Sequence, residues 1–193
     1  SADSNNYKAQ YMLGKLYQSD NKKDLQKAEK VLIKGAENAQ DKTGLCEYSL
    51  GKLYLSQERY DKAASYLERS AAKDNYYAAY TLGKLYQEQF NDNALAEKHL
   101  MHAAEHKDDV MGIAAYRLGK LYLSFQEKRK ALQYFIKAAD KDNTYGMYAA
   151  GKILLDSRKS TEVSKGIRYL SSAADKEFEP AIYTLGKYYS SFN

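Results

Sequence analysis

A seven-residue segment recurs six times, and this repetition constrains the fold more than any other feature of the sequence. Its most regular copies read Tyr-x-Leu-Gly-Lys-Leu-Tyr, and its glycines are Gly14, Gly51, Gly83, Gly119, Gly151 and Gly186. Successive glycines are therefore 37, 32, 36, 32 and 35 residues apart. A period of roughly 20 to 50 residues is typical of stacked supersecondary units, each too small to bury its own apolar face. The spacing predicts stacked helical hairpins.

A second motif lies between successive copies of the first. It places small residues around a large apolar one, and it occupies residues 28–36, 62–72, 96–104, 130–139 and 166–174. Its apolar residues recur at helical rather than alternating spacing, as Ala131, Phe135 and Ala138 illustrate. Each repeat therefore has two helices. We predict an all-α solenoid of about eleven helices, namely five helical hairpins and a closing helix.

Small residues recur in register with the repeat. Five positions before each motif glycine stand Ala9, Cys46, Ala78, Ala114, Gly146 and Ala181. Glycine inside a helix costs about 1 kcal/mol relative to alanine, so six glycines at equivalent positions indicate a packing requirement. We expect a neighbouring helix to approach closely at these positions.

Turn-forming residues separate the expected helices. Asp74-Asn75, Asn91-Asp92-Asn93 and Asp142-Asn143 combine helix-capping and turn residues. Pro180 suits the first turn of the last helix, where its missing N–H is harmless. These positions predict the helix boundaries.

The array reads as a single repeat domain over residues 1–193, because no linker or change in composition divides it. The last copy ends at Tyr189 without a second helix after it. Terminal repeats usually have a polar outer face, whereas Tyr188, Tyr189 and Phe192 are not polar. We therefore expect this sequence to be a fragment of a longer protein.

Composition narrows the possible environments and partners. No run of 18 or more apolar residues is present, so we expect no membrane segment. The single cysteine excludes an internal disulfide and is compatible with a reducing compartment such as the bacterial cytoplasm, although the localisation stays unassigned. The 30 basic residues are nearly balanced by 25 acidic ones, which argues against a uniformly basic, nucleic-acid-binding surface.

The two motifs together resemble the Sel1-like repeat family, a branch of the tetratricopeptide superfamily. The resemblance rests on Ala-x-Tyr-x-Leu-Gly-x-x-Tyr followed by Lys-Ala-x-x-Tyr-Leu-x-x-Ala-Ala, and it covers nearly the whole chain. It implies a right-handed superhelix of antiparallel helix pairs, with first helices lining a concave surface, and an adaptor role. The Leu-Gly-Lys-Leu-Tyr sequence also resembles repeats of bacterial mobilisation proteins. The family supplies no catalytic residues.

One departure from the family pattern concerns the turn inside each repeat. The family usually has a glycine-rich turn there, but residues 18–27, 56–62 and 124–130 contain no glycine. The geometry of these turns is therefore left open by the sequence.

A repeated pair of side chains is the main candidate for partner binding. A rotation of about 100° per residue places Leu13 on one side of the first helix and Tyr11 with Lys15 on the other. The pair recurs as Tyr11 with Lys15, Tyr48 with Lys52, Tyr80 with Lys84, Tyr116 with Lys120, Tyr148 with Lys152, and Tyr183 with Lys187. We call this set the tyrosine–lysine ladder.

The ladder has two interpretations. If first helices line a groove, lysine attracts acidic peptide segments and tyrosine supplies rigid contact area. Alternatively, each tyrosine packs against the next repeat and each lysine is only solvated. Residues that vary between repeats on the same face are better placed to select a partner, and these are Gln18, Leu55, Gln87, Leu123 and Leu155.

Other reactive residue types suggest no active site. His99, His102 and His106 share one predicted helix, but His99 aligns with the packing residue Tyr66, and no His-Glu-x-x-His motif is present. Cys46 replaces a small core alanine and is expected to be a buried, unreactive thiol. We predict no catalytic, cofactor-binding or metal-binding residue.

The sequence thus favours a non-enzymatic scaffold that presents a concave groove to a protein or peptide. The alternatives are single-stranded nucleic-acid binding through the tyrosine–lysine ladder, since such arrays can stack bases on aromatic rings, and a repeat module of a mobilisation protein. Which macromolecule is bound is not specified by the sequence.

Overall fold

A computed structural model of the chain describes residues 6–19 and 24–191. Within these ranges the chain forms helices and no strand, and Phe192 lies outside them. The helices are α1 (Tyr7–Gln18), α2 (Leu25–Ala36), α3 (Leu45–Leu55), α4 (Tyr60–Ala71), α5 (Tyr76–Glu88), α6 (Asn93–Glu105), α7 (Ile113–Ser124), α8 (Lys128–Ala139), α9 (Thr144–Leu155), α10 (Ser160–Ala174) and α11 (Glu179–Ser190). The predicted all-α repeat fold of about eleven helices is confirmed.

The chain divides into two compact units, residues 1–102 and 103–193. In the first unit α1 packs on α2 and α3 on α4, and the first helices α1, α3 and α5 also contact one another in succession. In the second unit α7 packs on α8 and α9 on α10, and α9 also contacts α11. Within each unit, repeats are joined through the second helix of one repeat and the first helix of the next. A single array over 1–193 stays a prediction.

The repeated glycines lie where the second helix of the same repeat crosses the first. A Cβ atom placed on Gly51 would lie only 2.5 Å from Cγ of Leu67, and the other internal copies are equally tight. The pairs are Gly14 with Leu32, Gly51 with Leu67, Gly83 with Leu100, Gly119 with Phe135, and Gly151 with Leu170. Gly186 is different, since a Cβ there would meet no atom within 4 Å. The predicted close approach is confirmed for five glycines and is wrong for Gly186, whose repeat has no second helix in this chain.

Small residues also face each other between repeats. Cys46 stands where most repeats have alanine, and the larger thiol is accommodated because Gly35 of the preceding helix faces it. Gly146 is also in close contact, since a Cβ there would lie 2.7 Å from Cβ of Ala138. Small residues thus let the helices of successive repeats approach closely, as expected of a closely packed interior.

Capping side chains begin the helices at the predicted places. Asn75 accepts a hydrogen bond from the Ala78 N–H at 3.1 Å, and Asn143 accepts one from Gly146 at 2.9 Å. Pro180 lies in the first turn of α11. These boundary predictions are confirmed.

Several turns reverse the chain through a residue in the left-handed region. Inside repeats this residue is Glu58, Asn91 or Gln126, with φ values of 57°, 52° and 62°. Glycine is the residue that adopts this conformation without strain. These turns therefore keep a left-handed conformation without the glycine that usually allows it.

Two longer connections carry a buried aspartate that the sequence analysis did not identify. Asp41 accepts hydrogen bonds from the Thr43 hydroxyl at 2.8 Å and from the Cys46 N–H at 3.2 Å. Asp109, 68 residues later, accepts bonds from the N–H groups of Ala114 and Ala115. Each buried carboxylate thus caps the first helix that follows it.

A glycine completes each of these connections three residues after the aspartate. Gly44 and Gly112 have φ values of 68° and 61°, and a Cβ on Gly112 would lie 2.7 Å from Cα of Ala138. Both the backbone conformation and the available space therefore require glycine here. The pattern Asp-x-x-Gly was visible in the sequence at both places.

Candidate partner-binding surface

Every ladder residue lies on a first helix, as the repeat predicts. The tyrosines Tyr11, Tyr48, Tyr80, Tyr116 and Tyr148 are half-buried, whereas Tyr183 on the terminal helix α11 is 75% exposed. The lysines are exposed, apart from the half-buried Lys84: Lys15, Lys52, Lys120, Lys152 and Lys187. The ladder therefore presents ammonium groups at the surface above partly covered aromatic rings.

Within four pairs the lysine lies over the ring of its own tyrosine. The distance from Nζ to the ring centroid is 5.5 Å for Lys15, 6.0 Å for Lys52, 5.9 Å for Lys120 and 5.4 Å for Lys152. These distances are within the range of cation–π attraction, worth about 0.5–1 kcal/mol at exposed sites. The ammonium groups are thus held in a defined place along the first helices.

The tyrosines also pack against aromatic rings of the next repeat. Ring centroids are 6.0 Å apart for Tyr48 and Tyr77, and 5.7 Å apart for Tyr116 and Tyr145. Burial raises the pKa of both Tyr48 and Tyr116 above the ordinary value for tyrosine. These rings therefore contribute to the packing between repeats, whatever else they bind.

Two ladder pairs in the first unit share a cavity of about 230 Å³. Its wall is formed by Tyr11, Lys15, Gln18, Ser19, Tyr48, Ser49 and Lys52. The cavity lies between the neighbouring first helices α1 and α3, so successive repeats form it jointly. Two ammonium groups at its wall favour an acidic group.

The variable positions differ in how accessible they are. Leu123 is exposed on α7, while Gln87 is half-buried on α5. Gln18 lines the cavity and also donates a hydrogen bond to the Gly14 carbonyl at 3.1 Å. Leu155 packs against the apolar core beside α10, so it is poorly placed to contact a partner.

A second set of tyrosines, at the end of the first motif, fixes first helices to second helices. The Tyr54 hydroxyl donates a 2.6 Å hydrogen bond to Glu29, and Tyr86 donates one of the same length to Glu68. Burial, followed by the neighbouring Glu68 carboxylate, raises the pKa of Tyr86 to about 12. Tyr54 is deeply buried, so in this copy the last tyrosine of the first motif lies on the packing side of its helix.

The three histidines have separate surroundings, and the prediction that they share one helix is wrong for His106, because α6 ends at Glu105. His99 stacks on Tyr86 with ring centroids 5.6 Å apart, and burial lowers the pKa of its imidazole. His102 Nε2 lies 3.3 Å from Asp74, and His106 Nδ1 accepts a hydrogen bond from the Asp108 N–H. The prediction that His99 occupies a packing position is confirmed. Within residues 6–19 and 24–191, no group of three His, Cys, Asp or Glu side chains has the geometry of a metal site.

Cys46 is fully buried, and burial raises the pKa of its thiol to about 12. Because the thiolate is the reactive form, this thiol is unreactive at neutral pH. The predicted structural role of Cys46 is confirmed.

Among the helices of the described ranges, none combines the length and the apolar character needed to cross a bilayer.

Comparisons with known proteins agree with this geometry. The family model described as tetratricopeptide repeat matches residues 45–75, which contain α3 and α4. A Sel1 repeat protein from Oxalobacter formigenes superposes with a TM-score of 0.72 at 22% identity, covering 96% of this chain and 79% of that one. No curated protein matches the sequence.

Two further solved structures have the same arrangement of helices. YrrB, described as a tetratricopeptide protein with an unusual peptide-binding site, superposes with a TM-score of 0.62 at 19% identity, over 95% of this chain and 94% of that one. MamA superposes with a TM-score of 0.63 at 21% identity, over 92% and 94% of the two chains.

The chain has the Sel1-like, tetratricopeptide-like repeat fold. The resemblance that the two sequence motifs suggest is thereby confirmed. At 15–22% identity, the solved structures show which fold this chain has but not which partner it binds. The relation to mobilisation proteins stays a prediction.

Proposed function

We propose that this Sel1-like chain is a non-enzymatic scaffold that binds an acidic segment of a protein partner along its first helices. The observation that carries the proposal is the regular placement of lysine Nζ atoms over tyrosine rings on α1, α3, α7 and α9. A helical repeat array converts such regularity into an extended binding surface.

The cavity between α1 and α3 is the proposed anchoring point. Its wall combines the ammonium groups of Lys15 and Lys52 with tyrosine rings and the short polar side chains of Ser19 and Ser49. A carboxylate there receives charge-assisted hydrogen bonds, which are stronger than neutral ones. The Tyr11 ring beside it supplies apolar contact for the adjoining part of the peptide.

The same geometry argues against the nucleic-acid alternative. Base stacking requires an open aromatic face. In this chain one side of Tyr48 meets Lys52 and another meets Tyr77, while Tyr116 contacts both Phe135 and Tyr145. These ladder tyrosines have little free face for a nucleobase.

The proposal is tested with a random 12-residue peptide library panned against the chain, followed by affinity measurements on the selected peptides. We expect acidic sequences to be enriched. The double variant Lys15→Ala/Lys52→Ala should bind a selected peptide at least about tenfold more weakly, because two charge-assisted contacts are lost. Fluorescence anisotropy with a labelled peptide measures the difference.

A matched control removes the same charge from second helices. Lys30→Ala/Lys98→Ala replaces two exposed lysines of α2 and α6 and should change the affinity less than about twofold, since surface charges outside the contact act only through screened fields. Enrichment of basic or purely apolar peptides, or equal losses in both double variants, would reject the ladder as the binding surface.

A further inference from the structure

One face of the terminal helix α11 is open. Ile182, Leu185, Gly186 and Tyr189 follow one another at intervals of three, one and three residues, so they line a single face of this helix. Ile182 is 51% exposed and Tyr189 is 54% exposed. Within the described part of the chain, a Cβ on Gly186 would meet no atom closer than 4 Å. We call these four residues the α11 stripe.

Internal repeats bury the same stripe. In α3 its residues are Glu47, Leu50, Gly51 and Tyr54. In α7 they are Ala115, Leu118, Gly119 and Tyr122. All eight residues are buried, and the two tyrosines are only 2% and 4% exposed. The α11 stripe therefore corresponds to a surface that the fold elsewhere covers with a helix.

The covering helix is in each case the second helix of the same repeat. One large apolar residue of that helix lies against the motif glycine, as Phe135 does at Gly119, where its Cδ1 would be 2.6 Å from an added Cβ. Four residues earlier stands a residue no larger than alanine, and the carbonyl of Ala131 would be 3.2 Å from the same Cβ. The pairs of small and large residues are Ala28 with Leu32, Ala63 with Leu67, Ala96 with Leu100, Ala131 with Phe135, and Gly166 with Leu170.

An aromatic residue precedes the large apolar one in four of these five helices: Tyr66, His99, Tyr134 and Tyr169. Its ring stacks on the last tyrosine of the stripe, with centroids 5.4 Å apart for Tyr54 and Tyr66 and 5.5 Å apart for Tyr122 and Tyr134. The equivalent ring on α11 is that of Tyr189. The internal repeats thus define the sequence that fits this surface, namely a small residue, two variable residues, an aromatic residue and a leucine.

We propose that the α11 stripe binds an amphipathic helix of another protein that carries this sequence. Its leucine fills the open space at Gly186, and its aromatic ring stacks on Tyr189. Binding of an amphipathic helix in an apolar groove is a common form of recognition. The site is separate from the tyrosine–lysine ladder, because Lys187 lies on a different side of α11 from the stripe.

A second copy of this chain has no such helix to offer. Its second helices already bury the residue that would lie against Gly186, and none of these residues is more than 1% exposed: Leu32, Leu67, Leu100, Phe135 and Leu170. Releasing one of them requires a repeat to open, which exposes its apolar core to water. The bound helix therefore belongs to a different polypeptide, in which its apolar face is free before binding.

A synthetic copy of α4, residues 59–74, serves as the probe. The substitution Ser65→Lys allows a lactam bridge to Asp61, and both positions are exposed on α4. The bridge stabilises the helix, because an isolated helix of this length is marginal in water. We expect the labelled peptide to bind the chain with a Kd between about 10 µM and about 1 mM, measured by fluorescence anisotropy. Gly186→Leu should weaken binding at least about tenfold, because its side chain occupies the space that the peptide leucine needs.

Matched controls are available on both sides of the contact. In the peptide, Leu67→Ser should weaken binding at least about tenfold, whereas Glu68→Ser on the exposed side should change it less than about twofold. Circular dichroism verifies that Gly186→Leu is folded.

A further control separates this site from the ladder. The chain variant Lys15→Ala/Lys52→Ala should bind the α4 peptide as the wild type does, because the ladder is proposed to attract acidic segments and this peptide is not acidic. Outside the bridge its charged residues are Arg59, Lys62, Arg69 and Lys73 against Glu68 and Asp74.

Four results would overturn the proposal. One is the absence of peptide binding up to about 1 mM, the limit of weak association. Others are equal binding by Gly186→Leu and the wild type, or equal binding of the Leu67→Ser peptide and its parent. The last is a chain that associates with itself in sedimentation velocity and loses this association in Gly186→Leu, because the occupant of the α11 stripe is then a second copy.

Discussion

At the scale of single residues, Gly83 lies at a contact between two helices that leaves no room for a side chain larger than hydrogen. A Cβ atom there would lie 2.6 Å from Cγ of Leu100 and 3.1 Å from its backbone nitrogen. We expect Gly83→Leu to lower the free energy of unfolding by about 1–3 kcal/mol, because the two helices must separate. Urea unfolding followed by circular dichroism measures the change.

Two other substitutions serve as controls for Gly83. Gly186→Leu occupies open space and should leave stability unchanged or raise it by up to about 1 kcal/mol, since leucine favours helix over glycine. Lys84→Ala should alter stability by less than about 0.5 kcal/mol. A loss at Gly186 as large as that at Gly83 would show that helix contact is not the reason for the repeated glycine.

The buried carboxyl of Asp41 provides a second prediction at this scale. Burial by itself raises its pKa, but hydrogen bonds from Thr43 and Cys46, together with the Lys73 charge, outweigh burial and lower the pKa below its ordinary value. The carboxylate therefore contributes stability that is complete above the unfolded pKa, about 3.9, and is lost as the pH falls through the folded pKa.

Replacing Asp41 tests that contribution. We expect Asp41→Asn to cost about 1–2 kcal/mol at pH 7, because the amide cannot accept both sets of hydrogen bonds. The difference from wild type should shrink at pH 3, as the wild-type carboxyl takes up a proton. Thermal unfolding at the two pH values gives the comparison. Asp61→Asn on the exposed face of α4 is the control. A stability difference between Asp41→Asn and the wild type that does not depend on pH would contradict the role of the Asp41 carboxylate as a helix cap.

At the scale of elements, the turns inside repeats carry strain that glycine would remove. Gln126 has a φ of 62° between α7 and α8. A non-glycine residue in this region costs about 1–2 kcal/mol, although glycine also loses more entropy on folding. We expect Gln126→Gly to raise the free energy of unfolding by about 1 kcal/mol, measured by urea unfolding.

The control for Gln126 is the same substitution within a helix. Gln133→Gly on the exposed face of α8 should lower stability by about 1 kcal/mol. If both changes destabilise the chain equally, the side chain of Gln126 makes a contact that compensates for its backbone conformation.

The helices and their contacts were largely predictable from sequence because the repeat provides several copies of each contact. The register of Gly51 against Leu67 follows from a contact that recurs in four other repeats. The left-handed residues were harder to predict, because Glu58 and Gln126 are not turn formers by composition. They adopt φ > 0 only because the packed helices on both sides fix the path of the chain. Tertiary packing here overrides local preference.

At the scale of the whole molecule, the candidate surface was predictable in position but not in accessibility. Sequence periodicity places Tyr48 and Tyr116 on one face of successive first helices. It does not show that Tyr77 and Tyr145 cover part of those rings, because these contacts join residues about 29 positions apart in different repeats. Repetition alone cannot separate a packing role from a binding role.

The helices differ in how many residues they bury, and this predicts that their backbone amides differ in protection from hydrogen exchange. Helix α3 buries seven residues, including Leu50 and Tyr54, whereas α11 buries only Ala181. Local opening costs little free energy where few apolar groups are packed. We expect amides in residues 184–189 of α11 to exchange at least about tenfold faster than those in residues 49–54 of α3.

Hydrogen–deuterium exchange followed by mass spectrometry measures this difference. Helix α1, with Gln10 and Gly14 as its buried residues, should fall between α11 and α3. The expected order follows from the open side of Gly186, where no second helix covers the first. Protection of α11 equal to that of α3 would mean that another part of the molecule covers this helix in solution. In that case Gly186→Leu, predicted to be harmless, should also destabilise the chain, so the two measurements check each other.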